Sequence, residues 1–84
     1  MEPIAPALAP VLYVREGCHL CDAFLVELMQ DMGSSCSSLS IVDVDGDPGL
    51  ASEFGLRVPV LAVAGRVVCE GRYDSPRVRE ALQV

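Results

Sequence analysis

Residues 11–22 read VLYVREGCHLCD, and this stretch decides the fold. Val11 to Val14 is a continuous run of aliphatic and aromatic residues, the composition of a buried strand. Arg15, Glu16 and Gly17 break it. From Leu20 the apolar spacing turns helical. Leu20, Phe24, Leu25, Leu28, Met29 and Met32 share one stripe, with Asp22, Glu27 and Asp31 mostly off it. Gly33, tolerant of positive φ, ends the helix. Cys18-His19-Leu20-Cys21 therefore lies where a strand gives way to a helix. A cysteine opening a helix sits beside free backbone N–H groups and the positive end of the helix dipole. Both favour thiolate over thiol, so Cys18 reads as a nucleophile of lowered pKa. Cys21 lies one turn on, on the same face, and can resolve a mixed disulfide. A protonated His19 would stabilise the Cys18 thiolate further.

Outward from this stretch the chain alternates. GSSCSSLS (33–40) is a polar turn, and LSIVDV (39–44) reads as a second strand. Asp47 is an N-cap with Pro48 at the first helical position, which predicts a short helix to about Phe54, closed by Gly55. VPVLAV (58–63) is a third strand. AGR (64–66) is a tight turn into a fourth strand over 67–70, making a hairpin. Asp74 or Ser75 caps a last helix to about Gln83, with Pro76 in its first turn and Val78, Ala81 and Leu82 inward. Residues 1–10, rich in Pro and Ala, read as a flexible arm, and 11–84 as one domain. The order β-α-β-α-β-β-α predicts an α/β fold: a mixed four-stranded sheet with three helices. The first three strands should include parallel pairing, and the last two should be antiparallel.

Composition sets the limits. A chain of 84 residues holds one small domain. It is 51% hydrophobic and 21% charged, with mean hydropathy +0.40, far too apolar for a disordered chain. Its net charge of −6 argues against nucleic acid and anionic membrane as partners. No apolar run is long enough to span a bilayer. The first ten residues carry Glu2, three prolines and no basic cluster, so they do not read as an export signal. A cytoplasmic location is the expectation. In that reducing compartment four cysteines point to redox or metal chemistry, not structural disulfides.

VLYVREGCHLCD, then IVDVDGDPGLASEFGLRVPVL, then the AGRVVCEG hairpin together resemble the glutaredoxin branch of the thioredoxin fold. More narrowly, they resemble the short glutaredoxin-like proteins of bacteria, across about residues 11 to 84. The resemblance implies a thiol–disulfide oxidoreductase with Cys18 as nucleophile and Cys21 as resolving cysteine. It implies that Pro59 is a cis-proline facing the sulfurs, with the Val58 backbone turned to pair with an extended thiol substrate. Arg15 becomes a candidate for binding a glutathione carboxylate or supporting the thiolate. Asp74 and Ser75 resemble the cap that meets the γ-glutamyl end of glutathione. Three departures fall on residues that meet glutathione in that family. Leu20 stands where Tyr is frequent, Arg57 where Thr is frequent, and Glu70-Gly71-Arg72-Tyr73 replaces a double glycine. The expected partners are therefore protein disulfides or small thiols such as glutathione. No bound cofactor is expected, and the protein should act as a monomer.

Asp43, Asp45 and Asp47 begin like a calcium loop, but Pro48 and Phe54 stand where Gly and Glu are needed. They read as a strand end and a helix cap. Zinc needs about four ligands, and Cys36 and Cys69 lie away from the CxxC. An iron–sulfur cluster held between two chains through Cys18 is one alternative function. A non-catalytic redox sensor or interaction protein is another. Cys69 reads as a small core residue and Cys36 as a surface or half-buried thiol. Phe24, Phe54, Leu25, Leu28, Met29 and Met32 read as core. Tyr73 is placed either to edge the substrate groove or to pack.

Overall fold

A computed structural model of the chain describes residues 9–33 and 38–82. Most of the N-terminal arm, Cys36 and the end of the last predicted helix lie outside the described residues. The elements are β1 (Pro10–Val14), α1 (His19–Met32), β2 (Ser40–Asp43), a 3₁₀ turn (Val44–Gly46), α2 (Pro48–Phe54), β3 (Val60–Val63), β4 (Arg66–Glu70) and α3 (Ser75–Leu82). This is the thioredoxin-like α/β order expected from the sequence. The sheet order is β2-β1-β3-β4. β1 runs parallel to β2 and antiparallel to β3, and β3 pairs antiparallel with β4. The second strand is shorter than its apolar run, because Val44 leaves it to open the 3₁₀ turn. The third strand begins only at Val60, after Pro59.

Side-chain alternation along β1 divides the layers. Leu12, fully buried, joins Phe24, Leu28 and Met32 of α1, Leu61 and Val63 of β3, and Val78 of α3 in the main core. The next residue, Tyr13, faces the other way and stacks on Phe54 of α2, ring centroids 4.6 Å apart. The helices thus cover both faces, α1 and α3 on one and α2 on the other. All four residues of the inner strand β3 are buried in consequence. On β4 the register shifts: Leu61 faces Cys69, but Ala62 faces Val67. Val68 is the extra residue of a bulge, which is why Val68 and Cys69 are both buried although adjacent. The hairpin turn is Ala64-Gly65, both at positive φ (55° and 78°), the twist that suits two-residue hairpins.

The core face of α1 differs from the stripe expected of it. Cys21, Phe24, Leu28 and Met32 are its buried residues, whereas Leu20 and Met29 are about half exposed. The helix is rotated so that Cys21 points inward. Met29 is therefore a correction: it lies at the solvent side of the stripe, and only the narrower run of i, i+3, i+7 and i+11 meets the sheet.

Candidate active site

Gly17, at φ 77°, turns the chain out of the β1 end and delivers Cys18 to the start of α1. Cys18 is the N-cap. Its carbonyl accepts from the N–H groups of Cys21 (3.1 Å) and Asp22 (3.2 Å), and its Sγ accepts from Cys21 N–H at 3.0 Å. A sulfur so placed takes the position of a capping oxygen. Cys18 and Cys21 are paired as a disulfide, their Cα atoms 5.2 Å apart, inside the usual range. The two differ in access. Cys18 is partly exposed, while Cys21 is 3% exposed and belongs to the core face of α1. His19, the first residue of the helix, is exposed.

Val58 and Pro59 enter β3, which is hydrogen-bonded to the strand that delivers Cys18. Their peptide bond is cis, the isomer that the resemblance implies. Pro59 is buried, and its carbonyl accepts from Gly71 N–H at 2.8 Å. The Val58 N–H already donates to the Phe54 carbonyl at 3.0 Å, beside the Arg57 N–H at 2.8 Å. The expectation of a Val58 backbone free to pair with substrate is corrected to that extent, because the end of α2 takes its donor. Arg57 crosses from this segment to Glu70 (Nε to Oε1, 2.7 Å) and Glu53, and lies over the Phe54 ring.

The remaining sequence-derived residues have neighbours that spacing did not reveal. Arg15 donates through Nε and Nη2 to the Asp45 carboxylate and through Nη1 to the Gly55 carbonyl. The bond to Arg15 holds the Asp45 carboxyl below its ordinary range, and the same bond raises the guanidinium. Asp74 caps α3, its Oδ1 accepting from Arg77 N–H. Ser75 donates its hydroxyl to Asp31 at 2.7 Å. Tyr73 donates to the same Asp31 oxygen at 2.6 Å, and Arg79 donates to the other at 2.8 Å. Those three donors, Ser75 first, pull the Asp31 carboxyl down to about 2. Asp31 had no signal in the sequence beyond lying off the apolar stripe, since its partners are more than 40 residues away. Tyr73 both packs and edges a groove. Its ring meets Phe24 edge-on, and a groove of about 240 Å³ runs between Leu20, Phe24 and Glu27 of α1 and the Gly71–Tyr73 turn.

Residues 11–83 match the family model described as Glutaredoxin-like domain (DUF836). The chain belongs to this glutaredoxin-like family. An uncharacterized protein of Mycobacterium tuberculosis is 36% identical over 76 residues, covering 81% of this chain and 75% of its own. A structural-genomics target protein of X. campestris, solved by X-ray, is 39% identical and covers 89% of this chain and 96% of its own, with a TM-score of 0.69. A protein of Nitrosomonas europaea, solved by NMR, is 29% identical over 95% of this chain and 96% of its own, with a TM-score of 0.75. The holo form of glutaredoxin C1 from poplar (Populus tremula x tremuloides) shares the fold at 18% identity and a TM-score of 0.50, over 92% and 76% of the two chains. Membership of this family and the paired Cys18 and Cys21 are consistent with a redox function. The other cysteine among the described residues, Cys69, is buried, and burial pushes its thiol pKa up, away from reactivity. Among the described residues no three His, Cys, Asp or Glu side chains gather as a metal site, and no helix is long and apolar enough to cross a membrane.

Proposed function

We propose that this chain is a dithiol–disulfide oxidoreductase of glutaredoxin type. The observation that carries the reading is the unequal placement of the two sulfurs: Cys18 partly exposed as the cap of α1, Cys21 behind it in the core face. In the reduced protein the Cys18 thiolate would be held by the Cys21 N–H and the helix dipole. That thiolate attacks one sulfur of a substrate disulfide. A new S–S bond forms to Cys18, the substrate S–S bond breaks, and the departing thiolate takes a proton from water. Cys21 then gives up its proton and attacks the Cys18 sulfur. The second substrate thiol leaves, two electrons have passed to the substrate, and the Cys18–Cys21 disulfide remains. Two equivalents of a thiol such as glutathione restore the dithiol.

Pro59 and Val58 would flank the incoming disulfide, with the Val58 carbonyl as the acceptor toward an extended substrate. The groove between Leu20, Phe24 and Tyr73 offers room for the group beyond the reacting sulfur. Ser75 is engaged by Asp31 and Asp74 caps α3 through one oxygen, which favours a protein disulfide over glutathione as the partner that is recognised. The reaction needs only one chain, and the reducing cytoplasm suits it. Reduction of a disulfide-bonded peptide, followed with glutathione as reductant, tests the reading. Turnover by the native chain and none by Cys18→Ser supports it, and equal rates for the two would sink it.

A further inference from the structure

Arg15 stands three residues before Cys18 and makes no contact that would aim it at a substrate. Its fork closes on the chain itself. Nε lies 3.1 and 3.2 Å from the Asp45 oxygens, Nη2 lies 2.9 Å from Oδ1, and Nη1 lies 3.0 Å from the Gly55 carbonyl. Both receiving groups are preset. Asp45 follows β2, which pairs residue for residue with β1 up to Val14 opposite Asp43, and its N–H is held by the Asp43 carboxylate at 2.9 Å. Gly55 is buried at the end of α2. A Cβ there would collide with the Ala51 carbonyl and lie 3.0 Å from Arg15 Nη2, so the guanidinium packs against the bare face of a glycine. Three residues, Leu56, Arg57 and Val58, separate Gly55 from Pro59. Within them Arg57 and Val58 both donate to Phe54, leaving little slack between the Gly55 carbonyl and the Val58–Pro59 edge.

We propose that Arg15 is a positioning residue for disulfide exchange: it ties the segment that leads into Pro59 to the strand that delivers Cys18, and it does not itself bind substrate. The inference rests on the oxidoreductase reading above. Exchange requires the attacking and leaving sulfurs to line up, and misplacement by about 1 Å can cost up to about a hundredfold in rate. A bidentate pair plus a carbonyl contact fixes orientation in a way that a point charge does not. Asp45 also neutralises the guanidinium, so an anionic substrate would have to displace a carboxylate already in place.

The partner residue gives the decisive test. A substrate-binding arginine is freed by D45N, which should then lower KM for an anionic thiol. A positioning arginine loses its anchor instead. Under the proposal R15Q and D45N each lower kcat for reduction of an extended disulfide peptide about tenfold, with KM within about twofold of native. The double variant is no worse than either single one, since both break one tie. R15K, which keeps the charge and lacks the fork, falls with them. The pH profile for alkylation of reduced Cys18 by iodoacetamide stays where it was, and amide exchange at Val58 speeds up in every variant. Native rates in D45N, or a tighter KM in D45N with a weaker one in R15Q, would overturn the proposal alone. A native chain with no exchange at all would overturn the oxidoreductase reading, and this inference with it.

Discussion

The Cys21 N–H donates to the Cys18 sulfur at 3.0 Å, so the atom that carries the proposed chemistry also caps the helix. Fold and reactivity are coupled at that contact. A serine at position 18 keeps a capping oxygen and loses the sulfur, whereas alanine loses both. Under reducing conditions Cys18→Ser should match the native chain in urea denaturation, and Cys18→Ala should be about 1 kcal/mol less stable than Cys18→Ser. Neither variant should exchange disulfides.

On the proposed mechanism Cys21, buried behind Cys18, takes the second step. With Cys21→Ser the attack by Cys18 should still occur, with no thiol behind it to release the product. Intact-mass analysis after incubation with a disulfide substrate should find one stable adduct, mapped to Cys18. Adducts found instead at Cys69 would contradict the assignment, since that thiol is buried and its pKa raised.

Asp31 makes stability depend on acid. Its folded carboxyl sits at about 2, below an ordinary value near 4. A depressed carboxyl stabilises the fold fully above the unfolded value. That contribution fades as pH falls from about 4 toward about 2. Asp31→Asn should therefore be less stable than native at pH 7, with the gap narrowing over that window. Urea midpoints measured at pH 2, 3, 4 and 7 would show it. Tyr73→Phe removes one donor from the same carboxylate and should cost about 1 kcal/mol at neutral pH.

The core assignment separates residues that look alike in sequence. Phe24 is 2% exposed and meets both the main core and the Tyr73 ring, so Phe24→Ala should cost about 3–5 kcal/mol. Met29 lies on the same helix at the solvent side, and Leu56 is 98% exposed. Alanine at either should change stability by no more than about 0.5 kcal/mol. Thermal or urea denaturation of the three variants distinguishes this packing from the full apolar stripe.

Much of this was legible in the sequence. The strand-to-helix switch at residues 14–19 and the Asp47-Pro48 helix start are local signals that appear in the structure where the sequence puts them, while the AGR turn closes one residue sooner, at Ala64-Gly65, with Arg66 already in β4. Periodicity could not set the rotation of α1. Leu20 and Met29 lie on the same stripe as Phe24, and only packing against the sheet puts Cys21 inward in their stead. Nor could spacing reveal the pairings that join distant segments. Arg15 meets Asp45 and Gly55 across 30 and 40 residues, and Asp31 meets Tyr73, Ser75 and Arg79 across more than 40. The Arg15–Asp45 pair depends on β2 lying beside β1, and the others on β3 entering the sheet between β1 and β4, non-local choices that no single segment encodes. The same contacts tie Arg15 and Ser75 to distant parts of the fold.

On the proposed function Cys18 and Cys21 form a working dithiol couple. The most direct test is a redox titration of the purified chain in glutathione buffers, quenched by alkylation and read by intact and peptide mass. The expected result is a reversible loss of two hydrogens confined to the Cys18–Cys21 peptide, with one midpoint. Cysteines 18 and 21 that stay reduced across the whole range, or that resist alkylation because they hold a metal, would contradict it.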